Sequence, residues 1–293
     1  MKTIGLLVAA AGFAVGCTDN GTTTPGAADM AMKPPPPLYL GDAPDAGMPA
    51  NFACLGSFKD TAMGPTMNTT ITGIIKDFQD DNPVKDAIVT LYTTAQQVID
   101  NKPIATAMAS DAMGGYTIVV PAGTPYRLIR GVVGGSAISS GGTLVKTIPA
   151  YEFDINYNDV KPIAVKLSTK QAIPSLVSVT QMDGLGILAG ATHDCDDKET
   201  GGGQIGVTAT GYDPTGQIYY FVKVAGSTIP TRNQHWTAEG GAFAALNVPP
   251  GIAAVEATGI VTSGAQKTIS KASIPVIKDA VTIIHLLPLA AGQ

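Results

Sequence analysis

Charge is scarce in this chain. Only 14% of its 293 residues are charged and 6% are aromatic, with one tryptophan, three histidines and three cysteines. Lys and Arg together number 18 and form no stripe or cluster, and the net charge is −5. The basic footprint that attracts phosphate backbones is therefore missing, which excludes nucleic acid as a partner. No apolar run reaches the roughly 20 residues that a membrane-spanning helix needs. Low charge also argues against long exposed helices laced by ion pairs.

Catalytic motifs are missing too. None of His193, His235 and His285 has a Glu three residues on, as a zinc peptidase site requires. His235 precedes Glu239 by four residues, a spacing that does not converge on a strand and turn. Gly134-Gly135-Ser136-Ala137-Ile138 lacks the closing glycine of a nucleophile elbow. The glycine-rich stretches 184–190 and 201–203 have neither the Lys-Ser/Thr of a phosphate loop nor a dinucleotide-binding context.

What is present starts at the N-terminus. Met1-Lys2 is followed by an apolar run from Ile4 to Val15 and then by Ala14-Val15-Gly16-Cys17. A charged start, a short apolar stretch and small residues at the cut site make a secretory signal. The segment resembles a bacterial lipobox, with Ala14 where leucine is usual. The resemblance implies removal of 1–16, acylation of Cys17, and a membrane contact made through the lipid. Thr18, rather than Asp, after the cysteine leans towards the outer membrane, facing either periplasm or cell surface. Residues 17–51, rich in Pro, Gly and Ala and including Pro34 to Pro37, read as a disordered tether with a polyproline II stretch. Cleavage leaves Cys54 and Cys195, and in an oxidising compartment two cysteines point to one disulfide, the alternative being two separate thiols.

The remainder alternates strand and turn signals, and the order recurs. Gly73 to Asp77 is echoed by Gly190 to Asp194, each followed by an acidic turn. Ile88 to Tyr92 is echoed by Gly206 to Thr210, Ala112 to Tyr116 by Glu239 to Phe243, and Pro121-Ala122-Gly123 by Pro249-Pro250-Gly251. Each series leads into a further strand. This pattern resembles the carboxypeptidase regulatory-like domain, a small antiparallel sandwich similar in fold to transthyretin. The resemblance implies an accessory module without catalytic residues. The expectation is an all-β chain of two tandem antiparallel β-sandwich modules, 52–160 and 186–293. A strand and one short helix at 161–185 connect them. Ser168 would cap that helix, running from Thr169 to Met182 and interrupted by Pro174.

Several residues are candidates for chemistry. The acidic turns, with Asp77, Asp80 and Asp81 in the first copy and Asp194, Asp196, Asp197 and Glu199 in the second, offer oxygen ligands of the kind Ca²⁺ takes, although acidic turns also form without metal. Trp236 with Tyr219 and Tyr220 could stack on a glycan ring, unless they face the core. Cys195 beside His193 could be a nucleophile and base, or a cysteine of the disulfide. The reading is a non-enzymatic envelope lipoprotein that binds, adheres or scaffolds, with an envelope protein or glycan as partner. The rivals are a carbohydrate-binding surface lipoprotein and a cryptic hydrolase.

Overall fold

The computed structural model describes residues 51–57, 66–78, 80–124, 127–134, 144–145, 147–149, 152–153, 163–224, 227–260 and 266–289. The signal segment, Cys17 and the tether up to residue 50 lie outside the described residues. Ten strands and one helix make the first half: β1 (Thr69–Ile74), β2 (Lys76–Asp77), β3 (Ala87–Tyr92), α1 (Ala95–Ile99), β4 (Ala105–Thr106), β5 (Gly115–Val120), β6 (Arg127–Gly134), β7 (Leu144–Val145), β8 (Thr147–Pro149), β9 (Glu152–Phe153) and β10 (Ile163–Lys166). The second half holds α2 (Leu167–Leu176), β11 (Gly186–Thr192), β12 (Gln204–Thr208), β13 (Ile218–Val224), β14 (Ser227–Thr231), β15 (Ala242–Val248), β16 (Gly251–Ile260), β17 (Gln266–Val276) and β18 (Val281–Leu286).

The first core follows from alternation. In β5, Tyr116, Ile118 and Val120 are buried while Thr117 and Val119 face out. In β3, Ala87, Val89 and Leu91 point inward. The β1–β5 pair thus closes over β3 with Ile71, Ile75, Val84 and Ala164. Each large aliphatic side chain so buried contributes about 1.5–3 kcal/mol.

The second half has three layers. β12, β16 and β17 form one antiparallel sheet. Its inner face packs through Val207, Val255 and Ile274 against Leu188, Tyr220 and Phe243 of the facing sheet. The other face of that facing sheet carries Ala244, Leu246 and Ile283, covered by Ile173 and Val177 from α2 and the residue after it. This explains why β15 is buried at six consecutive positions rather than alternately. Pro275 lies on β17, which pairs only with β16 and forms the edge that a strand proline needs.

The internal repeat reappears in the pairing. β1 pairs antiparallel with β5, and β11 with β15. β3 pairs antiparallel with β6, and β12 with β16. The amide of Ile75 donates to Gly114 at 2.8 Å, and that of Thr192 donates to Gly241 at 3.0 Å. Gly114 and Gly241 take positive φ of 74° and 62°.

The joint between the copies is not visible in the strand pattern. β18 runs parallel to both β11 and β8, and β8 meets β6. A single mixed sheet, β14-β13-β15-β11-β18-β8-β6-β3-β4, therefore crosses from one half to the other. It joins opposite layers of the two copies, the β3–β6 layer of the first to the β11–β15 layer of the second. Tyr92 and Val98 of the first half also pack on Ile277 of the second.

Two helical details differ from expectation. A second helix, α1, follows β3, and its capping box is Thr94 and Gln97, whose side chains bond each other's backbone amides. The connecting helix begins one residue before Ser168, has Lys166 as N-cap without a side-chain hydrogen bond, and ends at Leu176. Pro174 sits two residues before that end, and the chain turns away at Ser178 with φ of 52°.

Candidate functional site

The first described segment, 51–57, is fastened to the second half. Cys54 and Cys195 form a disulfide spanning 141 residues. Around it, the amide of Cys195 donates to Asn51 O at 2.7 Å and that of Asn51 to Asp194 Oδ2 at 3.0 Å. Asn51 Nδ2 donates to Asp196 Oδ1 at 3.1 Å. The amide of Gly56 reaches Leu289 O at 3.1 Å, so the segment is also held near the end of β18. With its sulfur in a disulfide, Cys195 has no thiolate, and the nucleophile reading of Cys195 and His193 is corrected accordingly.

The second acidic turn is built on Asp194. This buried carboxylate accepts from the amides of Asp196 and Lys198, both at 2.9 Å through Oδ1. Asp197 follows with φ of 58°, which swings its exposed carboxylate back onto His193, where Nδ1 and Oδ1 are 2.8 Å apart. His193 stands one residue beyond β11, and its amide donates to Leu286 O at 3.0 Å. Parallel register sets His285 opposite Ala191, and the two imidazoles stack with centroids 4.2 Å apart and planes 23° from parallel. His193 Nε2 is buried and has no hydrogen-bond partner among the described residues.

Electrostatics follow from this packing. The hydrogen bond from His193 holds the Asp197 carboxyl below its usual range. Burial, reinforced by neighbouring His193, lowers His285 to about 3, so its ring is neutral at physiological pH. Partial desolvation raises Glu199, although the residue keeps an exposed surface. One donor atom each from His193, Asp197 and His285 lie within 4.8 Å of one another. Sequence spacing places His193 and Asp197 together in one turn, whereas His285 lies far along the chain. Only the parallel β11–β18 pairing brings it in.

The first acidic turn is organised by lysines that the sequence reading had not singled out. Lys166 Nζ, almost wholly buried, lies 3.5 Å from Asp77 Oδ1 and 2.8 Å from Asp80 Oδ2. Lys76 pairs with Asp81 at 2.5 Å. Burial works to raise Asp80, but hydrogen bonds from Lys166 and the Asn82 amide outweigh it and the pKa is lowered. Here an ammonium group already occupies the space between the carboxylates that a calcium ion would need. The seven acidic residues are thus split: three are matched to lysines, Asp194 and Asp196 brace the turn and Asn51, Asp197 meets His193, and Glu199 is exposed.

The aromatic trio does not form an exposed platform. Tyr219 and Tyr220 are both buried, a correction to their reading as ligand contacts. Neighbours on a strand point to opposite faces, and here both faces of β13 are covered, one by the β12-β16-β17 sheet and one by α2. Tyr220 OH accepts from the amide of Ile205 at 2.8 Å, and burial pushes its pKa up to about 12. Tyr219 OH donates to Gly216 O at 2.5 Å, beneath the guanidinium of Arg232. Trp236 is half-buried beside exposed His235 and does not join them.

No helix among the described residues is long and apolar enough to cross a membrane. No protein-family model and no curated protein sequence matches the chain. Among solved structures, the shaft pilin SpaA from Lactobacillus rhamnosus GG is 14% identical over 77% of this chain and 98% of its own, with a TM-score of 0.20. The Bacillus anthracis TIE protein is 15% identical over 76% of this chain and 34% of its own, with a TM-score of 0.23. A streptococcal ancillary pilin is 15% identical over 76% of this chain and 63% of its own, with a TM-score of 0.20. Scores of this size carry no inference about what this chain does.

Proposed function

We propose that this chain is a non-enzymatic lipoprotein of the bacterial envelope, anchored through acylated Cys17 in the outer membrane, where its two β-sandwich halves serve as one scaffolding or adhesive body. The observation that carries the reading is the attachment at Cys54. The segment leaving the tether is covalently joined to Cys195 and hydrogen-bonded to Asp194 and Cys195, so it grips the second half directly. From there the mixed sheet continues through β18 and β8 into the first half. Force or orientation imposed at the tether passes into paired strands, which suits a module that holds a partner at a distance from a membrane.

The test compares wild type with C17S in the native bacterium. Wild type should incorporate labelled palmitate and fractionate with the outer membrane, and C17S should do neither. A deletion strain should lose cell adhesion or envelope integrity, and wild type should restore it. Rescue by unlipidated C17S would overturn the tethered-scaffold reading. Proteinase K on intact cells then separates a surface adhesin, which is digested, from a periplasmic scaffold, which is protected.

A further inference from the structure

We propose that His193, Asp197 and His285 form a binding site for one divalent transition-metal ion of the zinc class, at the end of the β11–β18 pair. This site is independent of the scaffolding reading.

Three features of the chain bring these donors together. Parallel pairing of β11 with β18 places His285 alongside the end of β11, and the hydrogen bond from the His193 amide to Leu286 O extends the ladder by one residue. Both imidazoles therefore leave neighbouring strands on the same side and meet face to face. The third donor comes from the tight turn. A positive φ at Asp197 returns its carboxylate to His193, and the turn is braced by Asp194, by Asn51 and by the disulfide at Cys195. The backbone that carries these ligands, a strand, a strand end and a cross-linked turn, is held in place before any ion arrives, and rotation of the rings turns their nitrogens onto it.

The distances fit. Zinc takes imidazole nitrogen and carboxylate oxygen at about 2.0–2.2 Å, so donors of one ion stand about 3–4 Å apart. The three donor atoms already lie within 4.8 Å of one another, and side-chain rotation closes the remainder. A second observation points the same way. The His193 side chain is 5% exposed, yet Nε2 has no partner. An ion that takes this buried ring nitrogen supplies the partner it lacks.

The donor set also chooses the metal. Two imidazoles and one carboxylate suit Zn²⁺ and its neighbours Co²⁺, Ni²⁺ and Cu²⁺, whereas Ca²⁺ and Mg²⁺ prefer all-oxygen sets. Three protein donors leave a coordination position for water or for a donor from another molecule.

The experiment uses the purified full chain carrying C17S, which removes the cysteine outside the disulfide. Titration calorimetry with zinc chloride should show one saturable site, and cobalt chloride should produce a visible d–d band that zinc abolishes. Calcium at about 1 mM should produce no response. D197A, a change at an exposed carboxylate, should weaken zinc binding at least about tenfold, and H285N should remove it. H235A, a change at an exposed histidine outside the cluster, should leave it unaltered. Absence of saturable zinc binding up to millimolar metal would overturn the proposal, as would equal binding by wild type and D197A. If H285N does not fold, D197A alone decides.

Discussion

A Cβ placed on Gly114 would stand 2.7 Å from the carbonyl oxygen of Ile75. In the second copy, a Cβ on Gly241 would stand 2.6 Å from the carbonyl oxygen of Thr192. Both glycines have positive φ and both accept a hydrogen bond from the residue they crowd. The two copies therefore share a contact as well as a spacing: a left-handed glycine pressed against the strand end that leads into the acidic turn.

G114A and G241A should each destabilise the protein by at least about 2 kcal/mol, combining the left-handed penalty with a clash against backbone that cannot move aside. Gly123 is the control. It also has positive φ but open space around it, so G123A should lose only about 1 kcal/mol. Urea unfolding midpoints of the three variants give the comparison, and equal shifts would refute the crowding argument.

Removing the disulfide with C54A/C195A should lower stability by roughly 4–5 kcal/mol in the chain-entropy account, because the bridge closes a very long loop. The same change should make the segment 51–57 more open to protease, since its remaining hold is a handful of hydrogen bonds and the packing of Phe52 and Leu55. An unchanged urea midpoint and an unchanged digestion pattern would show that the bridge adds nothing to the fold.

K166M should be among the most harmful single changes in the first half, at about 3–5 kcal/mol. It removes the ammonium facing Asp77, whose carboxyl has no exposed surface. Adding D77N should recover part of the loss, because the second change removes the buried charge that faced this ammonium. Thermal melts of the two variants test this, and a double mutant no more stable than K166M would count against the pairing.

Acid should weaken the fold through His285. Its unfolded value is 6.5 and its folded value about 3, so below pH 6.5 the unfolded chain takes up a proton that the folded chain refuses. Stability is unaffected above about pH 7 and falls by up to about 1.4 kcal/mol per unit as pH drops from 6.5 towards 3. Asp197, with its folded pKa lowered, adds a loss only at the acid end of that range, below its ordinary 3.8. Melts in EDTA between pH 7 and 4 should show the decline in wild type and a shallower one in H285N. Parallel curves would remove His285 from the account.

Much of the fold can be read from short stretches because the forces that set them are local. Ala87 to Tyr92 carries three β-branched residues in a row, Ile88, Val89 and Thr90, and becomes a strand over those same residues. The landmarks running from Gly73 to Gly123 and from Gly190 to Gly251 depend on turn residues and alternation, and they reappear as matched strand pairs. Even α1, which went unnoticed, carries its signal in Thr94 and Gln97. The disulfide is one of the two outcomes that the cysteine count left open.

The candidate site was less legible. A periodic pattern says which way a side chain points but not what covers that face. Tyr219 and Tyr220 looked like one inward and one outward residue until α2 proved to cover the second face. The Lys166–Asp77 pair needs a parallel contact between β2 and β10, segments far apart in the chain. His193 and His285 meet only because β18 inserts parallel to β11. The sequence by itself determined the β class, the doubled unit and the cysteines available to bridge, since these rest on spacing and local geometry. The tertiary structure decided which layers of the two copies fuse into one sheet and which charged and ring side chains face each other. Those choices depend on long-range pairing, whose energy is summed over whole strands and leaves no mark at any single residue.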